Sequence, residues 1–110
     1  GTDFKIHTIK TNLVTNVANS TELTLSFWKK EFDPIGSSNS TLNLVCQNTT
    51  TGTGSYNQGH QFLDERLEIT ANGQFSKHDV LIPTIRQSKT QSASKQAYFD
   101  VQVVCSALFN

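Results

Sequence analysis

Three histidines are the residues of this chain that could bind a metal ion. His7, His60 and His78 stand far apart, and none has another ligand at the short spacing that metal sites use. A zinc site needs three or four ligands that converge in the fold, and His7 lies on the less apolar face of its strand. We therefore interpret all three as surface histidines and predict no metal centre.

The carboxylates Asp64, Glu65 and Glu68 form a second cluster with potential chemistry. Paired carboxylates act as general acid and base when a cleft holds them around a substrate bond. A small β-sheet domain seldom provides such a cleft, so we interpret the cluster as a solvated acidic turn. A hydrolase or ribonuclease-like toxin that uses this turn with His60 and His78 stays as a minor alternative.

Nucleophilic and phosphate-binding motifs are absent from the sequence. There is no G-x-S-x-G elbow, and the glycine-rich stretch TGTGSYNQG (residues 51–59) lacks the Lys-Ser/Thr ending of a phosphate loop. The chain is therefore predicted not to be an enzyme and to need no cofactor.

The two cysteines are predicted to form a disulfide across the interior. Cys46 and Cys105 each share a strand phase with apolar residues, namely Leu42, Leu44, Phe99, Val101 and Val103. A bridge between them would close a loop of about 60 residues and contribute roughly 4 kcal/mol in the chain-entropy model. It would also indicate an oxidising compartment. Two unpaired buried thiols are the alternative.

The elements that must position these residues are short strands separated by turns. Apolar alternation predicts strands at 4–10, 22–30, 41–47 and 96–109, and polar loops at 31–40, 48–59 and 86–96. Asn72-Gly73 predicts a type I′ hairpin between residues 67–71 and the strand that follows, in which Pro83 marks an edge. Segment 60–71 is ambiguous between a helical turn and a strand. The pattern predicts one domain over residues 1–110, an antiparallel all-β sandwich of seven to eight strands, with a partly closed barrel as the alternative.

Trp28, the single tryptophan, falls on the outward face of the strand ELTLSFWKK (residues 22–30). We expect it to be covered, either by a loop that folds over the indole or as a cap at the end of the core, and the alternative is that it anchors a protein partner. The candidate partner-binding residues are Trp28, Lys29, Lys30, Tyr56, Arg86, Lys89 and Lys95. The alternative function is a carbohydrate-binding or adhesin module, in which Trp28 would stack on a sugar together with Tyr56 or Tyr98.

Charge and composition exclude several other functions. Nine basic and nine acidic residues give a formal net charge of zero, without the clustered cations that nucleic-acid binding requires. No apolar stretch approaches the 18 or so residues of a membrane span. Low hydrophobic content, much Ser, Thr and Asn, and the sequons at Asn19, Asn39 and Asn48 suit a secreted protein.

The whole chain resembles the ToxA-like secreted effectors of plant-pathogenic fungi, most of all the secreted-in-xylem effectors of a vascular wilt fungus. The likeness rests on the domain size, the many short polar strands, and one cysteine mid-chain with the second near the end, between GTDFKIHTIK and VQVVCSALFN. It implies a monomeric β-sandwich virulence factor without catalytic activity, secreted into plant tissue and in some relatives translocated into host cells. Some relatives work beside a partner effector and some are recognised by host immune receptors, and our leading hypothesis is that this protein binds a host plant protein. The Arg-Gly-Asp loop of the founding toxin is absent, so no functional residue carries over.

Overall fold

A computed structural model describes residues 3–31, 42–56 and 62–109 of the protein. The described part is built of antiparallel strands and one short 3-10 helix, and it contains no α-helix. The strands are β1 (Asp3–Thr15), β2 (Glu22–Lys30), β3 (Leu42–Thr51), β4 (Phe62–Leu67), β5 (Gln74–Phe75), β6 (Val80–Gln87) and β7 (Ala97–Leu108). The predicted all-β, antiparallel fold class is therefore confirmed.

The strands form two sheets. In the first, which we call sheet A, β1 is central: β7 pairs along its whole length, whereas β4 and β5 pair with its two halves. Since a strand has only two edges, β4 and β5 must share the edge opposite β7. The second, sheet B, has the order β3-β2-β6. Sheet B is thus three strands wide, and sheet A is three strands wide where β4 or β5 pairs with β1.

The two sheets face each other across one main core. Sheet A supplies Ile6, Ile9 and Phe75, and sheet B supplies Leu25 and Phe27, all at most 4% exposed. β3 lies beside the segment between β4 and β5, because the Thr70 amide donates to the Val45 carbonyl at 2.8 Å. β2 therefore lies over β1, and β6 and β7 lie on the same side of the molecule.

A bulge in β1 explains why its apolar residues do not simply alternate. Ile6 pairs with Cys105 but Thr8 pairs with Val104, so β1 carries one extra residue at His7. His7 and Thr8 consequently both point outward, and Ile6 and Ile9 both point into the core. The predicted outward position of His7 is confirmed.

A second bulge, in β3, overturns the predicted phase of LNLVC. Phe27 pairs with Cys46 whereas Trp28 pairs with Leu44, so Val45 is the extra residue. Val45 and Cys46 both enter the core, and Leu44 moves to the outer face of sheet B with Trp28. The prediction that Leu42 and Leu44 share the face of Cys46 is wrong for this reason, and Leu42 is 51% exposed.

β3 also continues beyond its predicted end at residue 47. Residues 48–51, assigned from composition to a polar loop, pair with β2 as far as Thr51. Threonine is a good strand former, and the Thr24 and Thr49 hydroxyls bond across the two strands at 3.0 Å. The predicted loop at 31–40 and part of that at 48–59 lie outside the described residues.

The predicted hairpin at Asn72-Gly73 is wrong. These residues belong to a 3-10 helix (Ala71–Gly73), with Asn72 at φ −85°, and the strands on either side pair with β1 rather than with each other. Two contacts hold the turn against β3: the Thr70 hydroxyl and the Asn72 amide donate to the Leu44 carbonyl at 3.0 and 2.8 Å. These hydrogen bonds to β3 hold the segment as a 3-10 turn in place of the type I′ turn that Asn-Gly favours locally. In the ambiguous segment 60–71, residues 62–67 form β4.

The predicted disulfide between Cys46 and Cys105 is not formed, and both are free thiols. Cys46 lies in the core beside Phe27 on an outer strand of sheet B, and Cys105 lies on an outer strand of sheet A on the opposite side of the molecule. Both side chains lie on the inward faces of their strands, but the strand order separates them. The argument for an oxidising compartment therefore loses this support.

We predict that the two thiols differ strongly in reactivity. Burial raises the pKa of the Cys46 thiol to about 11, so little thiolate forms at neutral pH, whereas Cys105 is exposed. Alkylation of the native, never-reduced protein followed by peptide mass spectrometry should label Cys105 first and Cys46 only after unfolding. A Cys46–Cys105 peptide pair in that material would contradict the strand order described above.

Candidate interaction surfaces

The outer face of sheet B is the first candidate surface, which we call the Trp28 face. On β2 alternate residues point outward, and Trp28 lies in a cross-strand row with Leu44 on β3 and Ile82 on β6. The neighbouring rows are polar, with Ser26 between Gln47 and Thr84, and Thr24 between Thr49 and Arg86. An apolar row thus adjoins a polar platform.

Trp28 itself is half-buried on the outer face of sheet B. Its indole N–H donates to the Thr84 hydroxyl at 2.9 Å, which fixes the ring across β2 and β6. The prediction that the indole faces outward is confirmed. The alternative that Trp28 caps the core is wrong, because Phe27, its neighbour in sequence, occupies that place.

A shallow depression lies beside the indole on the Trp28 face. Its volume is about 590 Å³, and apart from Trp28 its lining is polar. The lining residues are Glu22, Thr24, Ser26, Trp28, Gln47, Thr49, Thr84, Arg86 and Ser88. Hydroxyl, amide, carboxylate and guanidinium groups therefore surround one aromatic side chain, an arrangement that suits a mostly polar ligand surface with one group that packs on the ring.

The predicted basic residues separate into two groups. Lys30 and Arg86 point outward on the Trp28 face, at opposite ends of it. Lys29 points the other way: its ammonium donates to the Gln74 carbonyl at 3.2 Å and lies 5.8 Å from the centre of the Phe75 ring. Lys29 therefore covers the end of the core, and we remove it from the candidate binding residues.

Lys89, Lys95 and Tyr56 lie away from Trp28, at the end of the molecule formed by the loops. Lys95 donates to the Gly54 carbonyl at 3.3 Å, which holds the β6–β7 loop against the loop after β3. Desolvation first, and then the neighbouring Tyr98, raise the pKa of the Tyr56 hydroxyl. Tyr98 points outward from sheet A, so neither tyrosine can stack on one sugar together with Trp28.

Gln91 is a structural residue that the sequence analysis missed. Its side-chain oxygen accepts from the Ala18 amide at 2.9 Å, and its nitrogen donates to the Thr21 hydroxyl at 3.0 Å. The loop after β6 is therefore anchored to the β1–β2 turn, not free as its composition indicated. No sequence signal could have found this, because Gln91 stands among other polar loop residues.

Among the residues tested for catalysis, those whose side chains the structure describes do not come together. His7 donates to or accepts from the Ser106 hydroxyl at 2.7 Å on the outer face of sheet A, and His78 lies in the turn before β6. His60 lies outside the described residues, and of the carboxylates Glu68 is exposed just after β4. Within the described ranges no three His, Cys, Asp or Glu side chains form a group that could hold a metal ion. The same ranges contain no helix long and apolar enough to span a membrane.

Comparison of the chain with protein-family models, with curated proteins and with solved structures gives no match.

We predict that Gln91→Ala destabilises the fold by about 1–3 kcal/mol, because it leaves the Ala18 amide and the Thr21 hydroxyl without these partners. The measurement is the midpoint of urea unfolding followed by circular dichroism. Gln74→Ala, at an exposed position of β5, is the matched control and should change the midpoint little. Equal effects of the two substitutions would show that Gln91 is not an anchor.

Proposed function

We propose that the protein is a secreted, non-enzymatic effector that binds a host plant protein through the Trp28 face. The observation that carries the proposal is the placement of a half-buried tryptophan and an exposed arginine, Arg86, on the same sheet face. Tryptophan and arginine are the residue types most enriched among the dominant contacts of protein interfaces. Secretion and recognition by plant immune receptors belong to the same proposal and rest on the resemblance and the sequons.

The geometry of the face supports a partner with a particular chemistry. The indole N–H is already bonded to Thr84, so the partner would pack against the ring and not accept from its nitrogen. The Arg86 side chain is exposed, and its guanidinium can hold a carboxylate with two parallel bonds. The partner therefore carries an apolar side chain for Trp28 and an acidic one for Arg86.

We expect Trp28→Ala to weaken binding by at least about 30-fold and Arg86→Ala by about 10-fold, as dominant interface residues do. The immobilised protein would first capture its target from plant extract, and the purified target would then be titrated against each variant. Tyr98→Ala, an aromatic truncation on the other sheet, is the matched control and should bind as the parent does. Loss of binding by Tyr98→Ala with retention by Trp28→Ala would refute the assignment of the face.

A carbohydrate-binding or adhesin-type module is the second candidate function. The polar lining of the depression favours it, since hydroxyl and amide groups suit the hydroxyls of a sugar. Of the three aromatic residues predicted to stack on a sugar, only Trp28 lies on this face. Any stacking would therefore use one ring.

Trp28 provides the test of this second function because it is the only tryptophan of the chain. If an oligosaccharide stacks on the indole, titration with soluble neutral hexasaccharides of glucose, xylose, mannose and N-acetylglucosamine should change the intrinsic fluorescence saturably. An unchanged spectrum with every sugar would remove the carbohydrate function and leave the protein-binding proposal untouched.

A further inference from the structure

β7 is a long edge strand with apolar side chains on both faces. It pairs with β1 through 12 residues, and no other described strand pairs with it. Five of the nine exposed large hydrophobic side chains of the described residues lie on it. They are Tyr98 (54% exposed), Phe99 (39%), Val101 (38%), Val103 (38%) and Val104 (51%).

The side chains on the inward face of β7 continue the core but remain exposed. Phe99, Val101 and Val103 pair with Leu13, Thr11 and Ile9, whose side chains are buried, so all six point to the same side of sheet A. β6, on the same side of sheet B, turns Ile85 inward, and it is 43% exposed. The two sheets are therefore open towards solvent between β6 and β7.

The other sheet edges carry features that block pairing, and β7 does not. Pro83 lies in β6, and the Leu44 and Val45 carbonyls on β3 are occupied by the turn before β5. The edge formed by β4 and β5 is interrupted by the 3-10 helix. β7 contains no Lys, Pro or Gly and a single charge, Asp100. By these criteria β7 is the edge that requires a partner strand.

We propose that β7 pairs antiparallel with β7 of a second copy of this chain, with Gln102 opposite its own copy. In this register Val101 meets the partner's Val103 and Phe99 meets the partner's Cys105, so the inward faces match apolar to apolar. On the outward face Asp100 meets Val104 and stands four positions from its own copy, so no like charges are opposed. The sequence of β7 is thus complementary to itself.

The length of β7 suits pairing between two copies. A 12-residue strand spans about 40 Å at roughly 3.4 Å per residue, about twice the length of an ordinary strand. β6 and β7 lie on the same side of the molecule. The two-fold axis that pairs β7 with its copy, and so joins the two A sheets, therefore also brings the two β6 strands together. This dimer replaces the monomer predicted from the sequence.

Sedimentation equilibrium of the whole chain under reducing conditions tests the pairing. We expect a species of twice the 12.2 kDa chain mass. Val103→Lys should weaken the dimer at least about 100-fold, because an interfacial lysine would then be buried opposite Val101 without a counter-charge. The fold should survive, since Val103 is already 38% exposed. Leu42→Lys, at a similarly apolar exposed site on the far edge, is the control and should leave the dimer intact. A monomer at all concentrations, or a dimer that Val103→Lys does not weaken, overturns the proposal.

Crosslinking then tests the register. In a Cys105→Ser background, Gln102→Cys should form an intermolecular disulfide on mild oxidation, because directly opposed residues have Cα atoms about 4.5–5.5 Å apart. Asp100→Cys in the same background should not, since its two copies would be more than about 10 Å apart along the strands. Crosslinking of Asp100→Cys but not of Gln102→Cys would refute this register.

Discussion

The packing of β1 against β2 is the contact on which the rest of the structure depends. Ile6 and Ile9 from one strand meet Leu25 and Phe27 from the other, and burying large apolar side chains contributes about 1.5–3 kcal/mol each. Every other strand pairs with one of these two, so both sheets are assembled around the same contact. The bulge at His7 belongs to it as well, because it turns Ile6 and Ile9 to one side.

The same arrangement determines which surfaces remain for recognition. Phe27 fills the core, and its neighbour Trp28 must therefore point outward, where Thr84 fixes the indole above a polar platform. At the side where β6 and β7 end the sheets, apolar residues of the core face stay uncovered. The Trp28 face thus has the polarity of a surface for specific recognition. The open side between β6 and β7 has the composition of a strand-pairing interface. The proposed effector function uses the first, and the proposed dimer uses the second.

Because both cysteines are free thiols, a disulfide no longer supports the proposal that the protein is secreted. A disulfide would have indicated an oxidising compartment and stabilised a small core, whereas Cys46 here acts as a buried hydrophobic residue. The fold instead ties its loops with hydrogen bonds from Gln91, Lys95 and Thr70. The effector proposal therefore rests on the resemblance and the surface, not on cysteine chemistry.

The sequence by itself determined the fold class, the positions of β2 and β7, and the outward direction of Trp28, because the two-residue period of a strand is a local property. It could not determine which strands pair. The bulge at Val45, the turn at Asn72 and the separation of Cys46 from Cys105 all arise from contacts between residues distant in the chain. At these places tertiary contacts overrode local signals such as Asn-Gly or a shared strand phase. Tertiary hydrogen bonds and core packing outweigh a local conformational preference of about 1 kcal/mol. Only the tertiary structure could show that the apolar face of β7 is left open at the edge of its sheet.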